Sequence, residues 1–258
     1  MRDLAVTTLL VLALEGVLFL TLLLAIEVAY RIARKRKFPS SQARSVNAVT
    51  NVVFSFMGLI LAFSYSEAGK RLEVHRNLVV DEVNAISGVW SLVDVVPEAD
   101  QAPLRDLLRQ YLDARIEAHQ MLPWVEEFEA RRAWAARLQK QVWASMVAIT
   151  QAAPDKEVLL LPPVRLMAEV AAKRTLAVRT HITSPTFIFM LGLSVIGAML
   201  VGLTTARGEG RNWPYRLLFA FVISSAIHVV VDLEYPRTGI VSTEDADSLL
   251  LELRESME

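Results

Sequence analysis

Cysteine is absent from the 258-residue chain, which excludes disulfides and thiolate metal sites and leaves the redox compartment unmarked. Histidine is scarce, with four in all, too few to favour a dedicated transition-metal enzyme. No glycine-rich phosphate loop, His-Glu-x-x-His helix or Gly-x-Ser-x-Gly elbow occurs. Nucleotide and hydrolase chemistry therefore have no motif to stand on, and neither an enzymatic activity nor a cofactor is expected. An excess of one charge is missing too: 27 Lys and Arg against 28 Asp and Glu leave a net charge of −1, which gives no electrostatic case for nucleic acid. Internal repeats and low-complexity linkers are also wanting, as is strand-like alternation within 67–183.

What the chain has in quantity is apolar surface. Hydrophobic residues make up 53% of it and the mean hydropathy is positive, above ordinary soluble domains. Residues 4–30 are almost continuously apolar and run into Arg31, Arg34, Lys35, Arg36 and Lys37. That core is about twice too long for a cleaved signal peptide, and its charge follows rather than precedes it, so it reads as an anchor. Residues 46–66 form a second span of bilayer length. A third runs over Thr186–Thr204, introduced by Ser184-Pro185 as N-cap and first turn. A fourth covers roughly Arg216–Asp232, entered through the interfacial aromatics Trp213 and Tyr215. The expected fold is all-α: a polytopic membrane protein with four transmembrane helices and a helical extramembrane domain between spans two and three. The implied boundaries are 1–66 for the first two spans, 67–183 for the helical domain, 184–235 for the last two spans and 236–258 for an acidic tail.

Within 67–183 apolar residues recur at helical spacing, as in Leu104, Leu107, Leu108, Tyr111, Leu112 and Ile116. Asp100 and Pro103 mark one helix start, and Pro123, Pro154 and Pro162-Pro163 supply breaks. This predicts helices over 103–122, 124–152 and 163–183, with a short amphipathic one over 243–257. Orientation follows from short loops. Residues 31–46 carry six Lys or Arg and no acid, and 205–216 carry three against one acid. The positive-inside rule makes that side cytoplasmic in a bacterial inner membrane, with both termini and 67–183 outside.

Glu15, Glu27, His228 and Asp232 lie within or at the edge of apolar spans. Ionisable groups in lipid are costly and should face partners inside the bundle. Ser224, His228 and Asp232 follow one another at i+4. They could build a proton or ion relay with Glu15, or a Glu15–His228 clamp between helices; Glu27 and Asp232 could instead reach headgroup water. Ser194, Ala198 and Gly202, with Gly192 and Gly197 nearby, give span three a small-residue face suited to close helix packing. Span two continues without proline into the polar segment as one long helix from Ser45 to Trp90. At 100° per residue Asn47, Asn51, Phe54, Gly58, Ala62 and Tyr65 share one face, opposite Val49, Val53, Phe56, Ile60 and Phe63. The amide-bearing face is expected to meet protein or water and the bulky one lipid. A pore wall narrowed by Phe54 and Leu61 is the sharper reading, which requires several copies around an axis.

The run Gly58-Leu-Ile-Leu-Ala-Phe63-Ser-Tyr-Ser-Glu-Ala-Gly-Lys-Arg71-Leu-Glu-Val-His-Arg76 resembles the end of the second span of bestrophin channels. Leu78-Val-Val-Asp81-Glu82-Val-Asn84-Ala-Ile86 and Asp232-Leu-Glu-x-Pro236-x-x-Gly239 look more specifically like a bacterial bestrophin-like membrane family of unassigned function. The pattern departs at Ser64, Ser66 and Leu72-Glu73, where bestrophins carry arginine, asparagine and an aromatic pair. The resemblance implies a pentameric anion channel with span two around the pore and the helical domain in the cytoplasm, the reverse of the loop-charge orientation.

The leading expectation is therefore a homo-oligomeric, anion-selective ion channel lined by Asn47, Asn51, Phe54, Gly58, Leu61 and Tyr65, with the lipid bilayer, further copies of the chain and inorganic anions such as chloride as its partners. A non-conducting scaffold or sensor that binds a partner through the helical domain stands beside it, as does a proton-coupled transporter using Glu15, His228 and Asp232. Calcium control would fall to Asp81-Glu82 or Glu244-Asp245-Ala-Asp247, although neither matches a calcium-loop template.

Overall fold

A computed structural model describes residues 2–36, 43–120, 126–179, 184–206, 212–234 and 244–258. Pro123, Pro236 and Gly239, which punctuate the sequence, lie outside them, as do the side chains of Glu244, Asp245 and Asp247. The described chain is helical: α1 (Arg2–Arg36), α2 (Ala43–Ser91), α3 (Glu98–Gln120), α4 (Glu126–Ala152), α5 (Glu157–Arg179), α6 (Ser184–Thr205), α7 (Trp213–Glu234) and α8 (Glu244–Ser256). Short 3₁₀ helices at Leu92–Val95 and Pro154–Lys156 link α2 to α3 and α4 to α5. Four helices, α1, α2, α6 and α7, are long and apolar enough to cross a membrane. The chain is an all-α membrane protein.

Two compact units emerge, one from residues 1–72 with 181–241, the other from 73–180 with 242–258. The 49 residues of α2 contribute to both and extend about 73 Å at 1.5 Å per residue.

In the first unit, α1 and α6 approach so closely that a Cβ on Gly202 would lie 2.2 Å from the Ile26 carbonyl oxygen and 2.8 Å from the Ala29 Cβ. Ala198 and Ser194, fully buried one and two turns away, continue that seam. Small side chains allow this approach, and van der Waals packing is the main attraction available between helices in lipid. Hydroxyls in the spans are satisfied locally: Thr21, Thr50 and Ser194 each donate to the carbonyl four residues back, at 2.7–2.8 Å. The core draws Leu22 and Ile26 from α1, Met57 from α2, Met190 and Leu193 from α6, and Ala220, Ile223 and Ile227 from α7.

The second unit closes a core around Ile86, Leu108, Tyr111, Leu112, Leu138, Met146, Leu160 and Met167, all fully buried. Each large side chain removed from water contributes about 1.5–3 kcal/mol. The α8 helix lays Leu250 and Leu253 into it, with Met257 just beyond the helix, and this end of the chain is tied to α3 by Arg254 Nε to Asp113 Oδ1 at 2.7 Å and by Arg109 Nε to the Met257 carbonyl at 2.8 Å.

Two helix starts differ from the sequence expectation. The α3 helix begins at Glu98, with Pro103 inside it, and α5 begins at Glu157, with Pro162 and Pro163 inside. Each proline stands near its helix N-terminus. The carbonyls deprived of a donor by Pro162 and Pro163 belong to Val158 and Leu159, which are 85% and 47% exposed and so reach water instead.

Candidate functional site

The α2 helix is the least covered of the four apolar helices. Of its most apolar 18-residue stretch 11% is buried, against 33% and 39% for α6 and α7. Over the longer stretch 50–72 the buried residues are Thr50, Met57, Ser64, Ala68 and Leu72, whose spacings of seven and four keep them on one narrow line. Met57 and Phe54 seat against α6 at Gly197, where a Cβ would meet Met57 Sδ at 3.3 Å and Phe54 Cε1 at 3.5 Å. Phe54 also stacks on Phe219 of α7, with ring centroids 5.5 Å apart.

Bordering that line is the face bearing the amides. Asn47, Asn51, Ala62 and Tyr65 are exposed, Gly58 has open space where a Cβ would stand, and Gly69 likewise. Phe54 and Leu61, the bulky members of the face, are half-buried and packed against the bundle core. Continuing around the helix comes a bulky stripe, with Val52 69%, Leu59 49%, Phe56 44% and Phe63 64% exposed. So the bare surface of α2 has two parts, one small and polar, the other large and apolar. On the single chain neither is covered by another described helix, apart from an edge contact of Phe56 with Phe189 at 6.1 Å between centroids.

The intramembrane polar groups are brought together in part. His228 Nδ1 lies 3.4 Å from Glu15 Oε2, joining α7 to α1. Ser224 instead turns its hydroxyl to the Phe221 carbonyl at 3.1 Å, and Asp232 is buried. On span three Gly192 is exposed, whereas Ser194, Ala198 and Gly202 are buried. Glu27 does not simply reach outward: it accepts from Arg216 Nη1 at 3.2 Å and from Arg31 Nε at 2.7 Å. The Arg216 guanidinium is fully buried and lies 3.7 Å from the centroid of Tyr30. Arg71 Nη1 reaches both oxygens of Glu234 at 3.1 Å, tying the polar end of span two to the end of α7.

The second unit holds a feature that the motifs did not announce. Glu82 is fully buried, and its two carboxylate oxygens accept one from Arg115 of α3 and the other from Arg174 of α5. Burial alone would push its carboxyl up; the two guanidiniums outweigh burial and hold it down at about 2. Arg115 is in turn held above its usual range by Glu82, against the effect of its own burial. Beside them the buried Tyr111 hydroxyl is pushed up by burial and then by the Glu82 charge, outweighing the neighbouring arginines. Of the pair Asp81-Glu82, Glu82 is committed to arginine, while Asp81 stands exposed beside it. Among the described residues no group of three or more acidic or histidine side chains is arranged to hold a metal ion.

The Glu82 cluster was legible in phase, if not in motif. Glu82 falls three residues after Val79 and four before Ile86, Arg115 four after Tyr111, and Arg174 seven after Met167. Charges of opposite sign thus interrupt three apolar stripes at their inward positions.

A sequence profile for the Bestrophin-like domain matches residues 17–247. In fold, the chain is similar to crystal structures of a bacterial bestrophin homologue from Klebsiella pneumoniae. One, a single-substitution form, aligns with a TM-score of 0.72 at 12% identity over 96% of both chains. Another, phased on zinc, aligns with a TM-score of 0.64 at 14% identity over 92% of this chain and 98% of its own. No curated protein matches. With a profile that runs from within α1 through α7 to the start of α8, and with a fold shared over almost the full length, the chain belongs to the Bestrophin-like family.

Proposed function

We propose that this chain assembles as a homo-oligomer in the bacterial inner membrane, a pentamer by family analogy, and conducts inorganic anions along a path lined by α2. The observation that carries the reading is the bare small-and-polar face of α2, with Asn47, Asn51, Gly58 and Tyr65 uncovered through the apolar length of the helix. Amides and a phenol left facing acyl chains would each cost free energy. Copies arranged about an axis turn that stripe to water and leave Phe56, Leu59 and Phe63 for lipid. Phe54 and Leu61, at the margin of the stripe, supply the apolar narrowing that can gate a pore by dewetting. On this reading the protein is a channel rather than an enzyme. The basic loops 31–46 and 205–216 favour the cytoplasmic side for the α1–α2 and α6–α7 connections.

Reconstituted in liposomes, the protein should pass chloride, and Phe54→Ala should alter the flux. Purification as a monomer with no flux of any ion would end the proposal. The Glu15–His228 pair, 3.4 Å apart inside the membrane, favours one second reading, a proton-coupled transporter. Its signature is a flux driven by a pH gradient that disappears in Glu15→Gln with His228→Ala.

A further inference from the structure

Between α4 and α5 runs a groove of about 450 Å³, within the range of small-molecule sites. Six alanines form its walls, and its polar lining is Tyr111, Arg115, Arg132, Gln139 and Thr175. Alanine walls keep the space open and let a compact apolar body approach both helix backbones. The charged residues that line it are two arginines, with no carboxylate among them. Arg115 gives its Nε to Glu82 and is itself buried, so one member of the groove lining is a guanidinium fixed in place by a buried carboxylate. Arg132 stands at the rim, held by Glu129 through Nε at 3.1 Å.

The second observation is the Tyr111 hydroxyl. It is buried and finds no hydrogen-bond partner among the described residues. A buried donor left without an acceptor is costly. Tyr111 and Arg115 are both among the residues that line the groove. An anionic oxygen above Arg115 would meet a guanidinium and offer an acceptor to this hydroxyl, interactions that charge strengthens.

We propose that this groove is a binding site for a small organic anion, a carboxylate or phosphomonoester with a compact apolar body, held by Arg115, Arg132 and Tyr111. The site lies within the helical domain and stands independently of whether the protein conducts ions.

The test is a calorimetric titration of the full-length protein in lipid nanodiscs, with empty nanodiscs as the blank. The probes are phenyl phosphate, benzoate and the neutral benzyl alcohol. One of the two anions, or both, should bind saturably while benzyl alcohol does not, and the stronger anion identifies the head group. Ala172→Phe, which fills the groove from an exposed position, should weaken binding by at least about tenfold. Tyr111→Phe should weaken it by roughly two- to tenfold, the share of one hydrogen bond. It should leave the melting temperature of the free protein unchanged or raised, because the hydroxyl has no partner to lose. Absence of saturable binding by either anion overturns the proposal. So does equal binding of benzyl alcohol, or unchanged affinity in both variants.

Discussion

The two units of this molecule treat buried charge and bare surface in opposite ways. In the helical domain Glu82, Arg115 and Arg174 sit inside a closed core, each on the inward side of its helix. In the membrane bundle the ion pairs Glu27–Arg216 and Arg71–Glu234 lie toward the ends of the spans, and mid-membrane the described residues place the looser Glu15–His228 contact. Bare surface follows the reverse pattern. The long apolar run of α2 stays uncovered in the bundle, whereas the continuation of the same helix places Val79, Ile86 and Val89 in a core. The solvent explains the difference. Water drives apolar faces together and allows a desolvated triad to survive only when it is paired. Lipid exerts no such drive between helices, so a face can remain open until another copy covers it or water fills it.

The comparison breaks first at Glu82. Replacing it with alanine leaves two buried guanidiniums without their carboxylate and should destabilise the helical domain by about 3–5 kcal/mol, measured by thermal melting of the full chain. Substituting Glu82, Arg115 and Arg174 together with leucine or methionine should recover most of that loss. A Glu82→Ala protein that melts like the wild type would show the cluster to be dispensable.

Acid is the next lever. Because Glu82 in the folded chain titrates at about 2, below its ordinary 4.5, its contribution is fully present above about pH 4.5. It disappears as pH falls toward 2. The loss should be on the order of 2–3 kcal/mol at about 1.4 kcal/mol per pK unit, and melting curves of Glu82→Gln should be flatter over the same interval.

Two glycines sharpen the contrast within the membrane. Gly202→Leu drives a side chain into the α1 backbone and should cost roughly 1–3 kcal/mol or unseat α1 from α6. Gly58→Ala meets open space, so the folded chain should tolerate it within about 0.5 kcal/mol, and any change in anion flux then reports on the path alone. Glu15→Gln likewise has a small effect, weakening one interhelical contact at about 0.6 kcal/mol, read as a shift in detergent-induced unfolding.

Much of this architecture could be read from residues 4–30, 46–66, 186–204 and 216–232, because apolar runs of bilayer length leave few other folds. The unbroken α2 was legible for a related reason: no proline falls between Ser45 and Trp90. The side of α2 that meets its own bundle was not. Its line, Thr50, Met57, Ser64 and Ala68, mixes polar with apolar residues, and in lipid hydropathy does not mark the packed face. The buried pairs were hidden for another reason. Arg216 and Arg71 look like interfacial charges in sequence, and only Glu27 and Glu234 across the bundle show them to be partnered.

The most direct test of the bare α2 face uses the absence of cysteine, which makes every introduced thiol unique. Single cysteines at Asn47, Asn51, Gly58 and Tyr65, and at Val52, Phe56, Leu59 and Phe63, are treated with a charged, membrane-impermeant thiol reagent in chloride-loaded liposomes. The account predicts modification and altered chloride flux at the first four positions and protection at the second four. Labelling of the bulky stripe with protection of the amide stripe would contradict it.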